Sequence, residues 1–133
     1  TCCHLGLTPQ FANQFGGYRV QGRTDEAAKR LIDAAATLDQ AGTDVILLEC
    51  VPNHVTDAIM KVTTVPVIGI GAGPSTTGQV LVMHDLLGIT PGKSARFVKN
   101  FMETADSIQD AFKLYDQAVK NGSFPAAEHC FEN

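Results

Sequence analysis

No apolar run in these 133 residues approaches the roughly 20 that a membrane-spanning helix needs, so no membrane partner is expected. There is no excess of positive charge: ten Lys and Arg against fourteen Asp and Glu give a net charge of −4. Those cations are scattered, which argues against a nucleic-acid partner, since that calls for a basic face. The four cysteines, Cys2, Cys3, Cys50 and Cys130, include no C-x-x-C pair. His4 and His129 lie near cysteines without zinc-type spacing. A chain of βα units with a real core does not need disulfides, so the thiols read as free and the compartment as reducing. Neither a signal peptide nor a transit pattern is visible, and no repeat or low-complexity segment interrupts the chain. There is no initiator Met, and Thr1–Leu5 reads as the end of a strand already under way. The expectation is that an upstream half is missing.

The stretch that is present in strength is Val45-Ile46-Leu47-Leu48-Glu49-Cys50-Val51-Pro52. Four branched apolar residues run without a polar break, a carboxylate follows, and a proline closes the run. Such a run reads as a strand buried on both faces, the kind found in parallel sheets. A carboxylate at the C-terminal end of that strand sits where parallel α/β folds place their chemistry. Desolvation there raises its pKa toward neutrality, as a general base requires. Glu49 is therefore the candidate base, and a structural ion pair at the sheet rim is the plainer alternative.

Around it the chain alternates. Residues 1–5 fit a strand end. Gly6 to Arg23 is a Gly- and Gln-rich loop, with a turn of helix expected near Phe11–Phe15, and its aromatics (Phe11, Phe15, Tyr18) suggest packing against something. Thr24 reads as the N-cap of a helix with Asp25 and Glu26 in its first turn, and Gly42 as the residue after its end. The strand from about Asp44 to Glu49 follows. Then come a short helix that Asn53 would cap, a strand over Val65–Ile70 with Pro66 near its start, a tight Gly71–Pro74 turn, and a further strand over Gln79–Met83. A helical stretch from Ser94 through Phe101, a longer helix from about Asp106 to Lys120 and a partly ordered tail from Ser123 complete the chain. This order predicts one α/β domain over residues 1–133, with parallel strands joined by right-handed crossovers. Four such strands form an open sheet or half of an eight-stranded barrel.

Other residues carry weaker signals. His4 ends the first strand at the same level as Glu49, as a structural histidine or as a donor to a substrate oxygen. Gly69-x-Gly71-x-Gly73 fails the dinucleotide spacing because position 74 is proline, and reads as a tight turn. His84-Asp85 reads as structural, with one of the two at the site rim. No Ser-His-Asp or Cys-His arrangement stands out. No carboxylate set looks sufficient for a hard cation, which wants several converging oxygens, so no metal ligand is assigned in this chain.

Taken together, His4-Leu5-Gly6-Leu7-Thr8-Pro9-Gln10, Phe15 to Arg23, Leu48-Glu49-Cys50-Val51-Pro52, Pro66 to Gly73, Val82-Met83-His84-Asp85, Phe97 to Phe101 and the Phe124-Pro125…Glu128-His129 tail closely resemble the ketopantoate hydroxymethyltransferase family. The match covers nearly the whole chain, but only as the C-terminal half of such an enzyme. The resemblance implies a (β/α)8 TIM barrel, of which this chain would hold about strands 5–8 plus extra C-terminal helices, with the N-terminal half absent. It implies transfer of a hydroxymethyl group from 5,10-methylenetetrahydrofolate to 3-methyl-2-oxobutanoate, giving 2-dehydropantoate in pantothenate synthesis. In the family Mg2+ acidifies the C3–H of the keto acid, a base removes the proton, and the enolate attacks the one-carbon unit. Glu49 matches that base and His4 a residue lining the keto-acid pocket, while the Mg2+ ligands would lie on the absent half. A homo-oligomer, commonly a decamer, and a cytoplasmic (in a eukaryote, also mitochondrial) setting are implied as well. The alternatives are an inactive half-barrel or interaction module that needs a partner chain, and an enzyme of the phosphoenolpyruvate mutase and isocitrate lyase type.

Overall fold

The computed structural model describes residues 1–11, 13–14 and 16–132. Its centre is a four-stranded sheet in the order β1-β2-β3-β4, formed by Cys2–Gly6 (β1), Val45–Glu49 (β2), Val67–Ile70 (β3) and Gly78–Gln79 (β4). All three pairings are parallel, with His4 opposite Leu47 and Leu47 opposite Ile68. Strand order thus follows chain order, the arrangement that successive βα units generate.

Helix Asp25–Gln40 (α1) crosses from β1 to β2, and helix Asn53–Val62 (α2) from β2 to β3. Thr24 caps α1 by accepting from the Ala27 N–H at 3.2 Å, with Asp25 and Glu26 in the first turn. The inward face of α1 is built on Ala28 and Ala35, whose small side chains let the helix lie close to the sheet. Val55, Thr56 and Ile59 form the buried face of α2. Because residues in a strand alternate faces, Ile46, Leu48 and Val67 point together under these helices and are fully buried. Each such side chain contributes on the order of 1.5–3 kcal/mol by leaving water. Val45, Leu47 and Glu49 share the opposite face of β2 and are only partly buried.

A short helix, Met83–Leu86 (α3), and a longer one, Ile108–Lys120 (α4), follow the sheet. They enclose a second core in which Phe101, Tyr115 and Phe124 meet edge to face at 5.4–5.9 Å between ring centroids, the arrangement that aromatic quadrupoles favour. Among the described residues, no helix is long and apolar enough to cross a membrane.

The structure departs from the sequence-based expectations at several points. The strand predicted over Gln79–Met83 shrinks to Gly78–Gln79, and Met83 opens α3 instead. The last ladder contact is the Val80 N–H donating to the Gly69 carbonyl at 2.9 Å, after which Val80 and Val82 lie exposed. The strand predicted from Val65 starts at Val67, because Pro66 has no N–H to give the ladder. The expected helix from Ser94 is replaced by a turn and a 3-10 segment, Phe101–Glu103. Phe97 packs on Gly71 while Phe101 enters the aromatic core, and a helix would put residues four apart on one face. Pro52, not Asn53, is the N-cap residue of α2. The loop aromatics Phe11 (46% exposed) and Tyr18 (78% exposed) do not pack inward, and Phe15 lies outside the described residues. The C-terminal segment is no loose tail, since Phe124 and Cys130 are buried.

Candidate active site

Glu49 is the last residue of β2, and its chain neighbours are held by the two flanking strands. The Leu7 N–H donates to the Glu49 carbonyl at 2.8 Å, and the Cys50 N–H donates to the Ile70 carbonyl at 2.9 Å. Gly6 packs against the Glu49 carbonyl so closely that a Cβ would also meet the Val51 methyl at 2.8 Å. Its positive φ of 86° suits a residue without a side chain. Cys50 itself has a φ of 51°, a left-handed conformation uncommon outside glycine. There the strand stops and the backbone turns at the sheet rim, and the Gln21 N–H donates to the Cys50 carbonyl at 2.9 Å.

His4 projects from β1 on the same face as Glu49. Its Nε2 is 3.1 Å from Glu49 Oε2, and the two side chains are 25% and 14% exposed. Nε2 has no well-aligned acceptor, so the pair is a close contact without a directed hydrogen bond. Burial pushes the Glu49 carboxyl above its usual value, and the neighbouring His4 opposes that rise. Burial and the neighbouring Glu49 push the Cys50 thiol up to about 12. All four cysteines are free thiols, Cys2 exposed and Cys50 and Cys130 buried.

Glu49 and Cys50 open onto a pocket of about 310 Å³ at the C-terminal ends of the strands. Leu7 completes its floor. Tyr18, Arg19 and Val20 of the β1–α1 loop form one wall, Ala95–Phe97 a second, and Phe131 of the C-terminal segment a third. Phe97 is seated by Gly71, whose absent Cβ would lie 2.8 Å from its ring. Phe131 is seated by its carbonyl, which accepts from the Asn53 N–H at 2.8 Å. Arg96 ties the second wall to the third through Nε, which donates to the Glu128 carbonyl at 3.1 Å.

The pocket sits where the sequence places it, at the end of the strand that carries Glu49. The walls are what sequence reasoning misses. Arg19, Arg96, Phe97 and Phe131 come from stretches read as loop, helix and tail, and only the aromatic, Gly-rich character of the first loop hints at a wall. His84 and Asp85 do not reach the rim: they lie on α3, where Asp85 accepts from the Thr90 hydroxyl at 2.6 Å. Among the described residues, no group of three or more His, Cys, Asp and Glu side chains is gathered to hold a metal ion. One carboxylate beside one imidazole does not fit the oxygen-rich shell of Mg2+.

Comparison with known proteins decides the family. Residues 1–127 match ketopantoate hydroxymethyltransferase. The chain belongs to that family. The 3-methyl-2-oxobutanoate hydroxymethyltransferase of Alcanivorax borkumensis is 60% identical over 130 residues, covering 98% of this chain and 50% of the relative. A Hahella chejuensis enzyme of that name, numbered 2, is 58% identical over 98% of the chain and 49% of its own length. The Marinobacter nauticus enzyme is 57% identical over 98% of the chain and 50% of its own length. The chain thus spans about half the length of the ketopantoate hydroxymethyltransferases it matches. Four parallel strands in chain order are what half of an eight-stranded barrel supplies.

Proposed function

We propose that this chain is the C-terminal half of a 3-methyl-2-oxobutanoate hydroxymethyltransferase and carries its general base. The carrying observation is the placement of Glu49, a partly desolvated carboxylate at the end of a parallel strand, beside His4 and open to a pocket. In this reading Glu49 takes the proton from C3 of 3-methyl-2-oxobutanoate. Water hydrolyses the methylene–nitrogen bonds of 5,10-methylenetetrahydrofolate, releasing tetrahydrofolate and leaving the one-carbon unit as formaldehyde. The carbanion, delocalised onto the keto oxygen, adds to that carbon, and the resulting alkoxide takes the proton back from Glu49 to give 2-dehydropantoate. His4 is not among the residues lining the pocket; it stands against the Glu49 carboxylate at 3.1 Å and keeps its proton affinity from rising further.

Val45 and Leu47 lie half-buried on the face of β2 away from α1 and α2. That favours a barrel completed by further βα units outside these 133 residues; the cytoplasmic homo-oligomer is taken over from the family resemblance alone. Mg2+ would be held by side chains in those units. The test is solvent deuterium exchange at C3 of the keto acid, in a protein of the relatives' full length that carries this chain. Glu49→Gln is expected to slow exchange by about 10²–10⁴-fold. Exchange at the unsubstituted rate would eliminate Glu49 as the base.

A further inference from the structure

Two of the chain's four arginines, Arg19 and Arg96, line the Glu49 pocket, and a third, Arg23, lines a hollow beside it. The fourth, Arg30, pairs with Glu26 at 2.6 Å. Among the described residues, no carboxylate lies within ion-pair distance of the three. This local excess of positive charge stands in a chain whose net charge is −4. Tyr18 and Arg19 line both the pocket and a second, open hollow of about 450 Å³, which Arg23 also lines. The two spaces therefore share a wall. Arg96 is held by its Nε on the Glu128 carbonyl, which leaves its terminal nitrogens free to meet a ligand. Tyr18 presents its ring 78% exposed beside them.

An exposed aromatic flanked by uncommitted guanidinium groups suits a planar ring that carries carboxylates. Arginine grips a carboxylate through two parallel hydrogen bonds, and an aromatic ring stacks on a flat partner. The keto acid is small and must reach Glu49 on the pocket floor. The one-carbon donor is long: its reactive end must meet the keto acid, while its p-aminobenzoyl-glutamate arm trails outward with two carboxylates, and with one more for each added glutamate.

We infer that Tyr18, Arg19 and Arg96 bind the p-aminobenzoyl-glutamate arm of the donor, and that further glutamates run along Arg19 toward Arg23. This rests on the function proposed above and adds where its second substrate lies. Tyr18 packs on the aryl amide, and the arginines take the carboxylates.

The experiment again uses a protein of the relatives' length carrying this chain, with steady-state kinetics on monoglutamyl and triglutamyl donor and C3 deuterium exchange in the absence of donor. Arg19→Gln and Arg96→Gln are each expected to raise KM for the donor about 10- to 100-fold, the size of a lost charge-assisted contact. The donor KM should rise well beyond any change in the keto-acid KM of the exchange reaction, and Arg→Lys should recover part of the loss. Arg23→Gln should abolish the preference for triglutamyl over monoglutamyl donor. Without any substitution, p-aminobenzoyl-triglutamate should inhibit competitively against donor and not against keto acid. An unchanged donor KM with normal exchange, or inhibition competitive with keto acid, would overturn the inference and leave the proposed function standing. A rise in keto-acid KM that equals or exceeds the rise in donor KM would assign the arginines to the other substrate and overturn the inference. No exchange by the unsubstituted protein would remove the function itself.

Discussion

His4 Nε2 stands 3.1 Å from Glu49 Oε2, although in register His4 is paired with Leu47. The two side chains lean along neighbouring strands to meet at the sheet rim, so each sets the electrostatic surroundings of the other.

That contact gives a signed pH prediction. Burial raises the Glu49 pKa and His4 opposes the rise. In its proposed role as base Glu49 works only when deprotonated, so C3–H exchange should climb with pH through its raised pKa. His4→Ala removes the opposing influence and should move the limb to higher pH. A pH profile of the exchange rate in both proteins checks this, and a limb that moves to lower pH would refute it.

Glu49 should also cost the fold something at neutral pH. Its folded-state pKa lies above the value of 4.5 it has when exposed. As pH rises from 4.5 to that raised value, the unfolded chain has released its proton while the folded one holds it, so the unfolded state binds fewer protons and stability falls. Glu49→Gln has no such term. The difference in Tm between variant and unsubstituted protein is expected to favour the variant more at pH 7 than at pH 4, measured by thermal unfolding across that range.

The Gly71 position couples backbone to pocket wall. Its φ is 62°, and an added Cβ would lie 2.8 Å from the Phe97 ring. Gly71→Ala should destabilise by about 1–3 kcal/mol through backbone strain and the forced shift of Phe97. Urea unfolding measures the loss. Because Phe97 lines the pocket, KM should rise along with it.

The thiols should label in an order set by exposure. Cys2 is exposed, Cys50 and Cys130 are buried, and the Cys50 thiol is held near 12. Thiolate is the reactive form. Mass spectrometry after brief iodoacetamide treatment at pH 8 should find the adduct on Cys2, with Cys50 labelled only on unfolding.

Much of this was legible in the sequence wherever local pattern and burial coincide. The unbroken Val45–Leu48 run, the Thr24 cap with Asp25 and Glu26, and Gly42 and Gly122 after their helices each announce an element whose packing agrees with its chemistry. The strand-end carboxylate and its histidine were legible for the same reason, since β1 and β2 run in register. The failures fall where tertiary contacts override local pattern. Val80, Leu81 and Val82 are as apolar as a strand, but the ladder with β3 ends at Gln79. Phe97 and Phe101 have helical spacing, but one is claimed by Gly71 and the other by the aromatic core. Arg19 and Arg96 are 77 positions apart in the numbering, and nothing in either neighbourhood indicates that they share a pocket.

The Phe131 carbonyl holds the first N–H of α2 while its side chain walls the pocket. Anyone choosing where to end an expressed fragment would be tempted to stop at Gly122, where the last long helix finishes. Trimming there would discard the acceptor for Asn53, the carbonyl that anchors Arg96, and one side of the cavity in a single cut. A shortened protein that still folds would be a misleading reagent for ligand screening, because its binding site would have been removed with what looked like packaging.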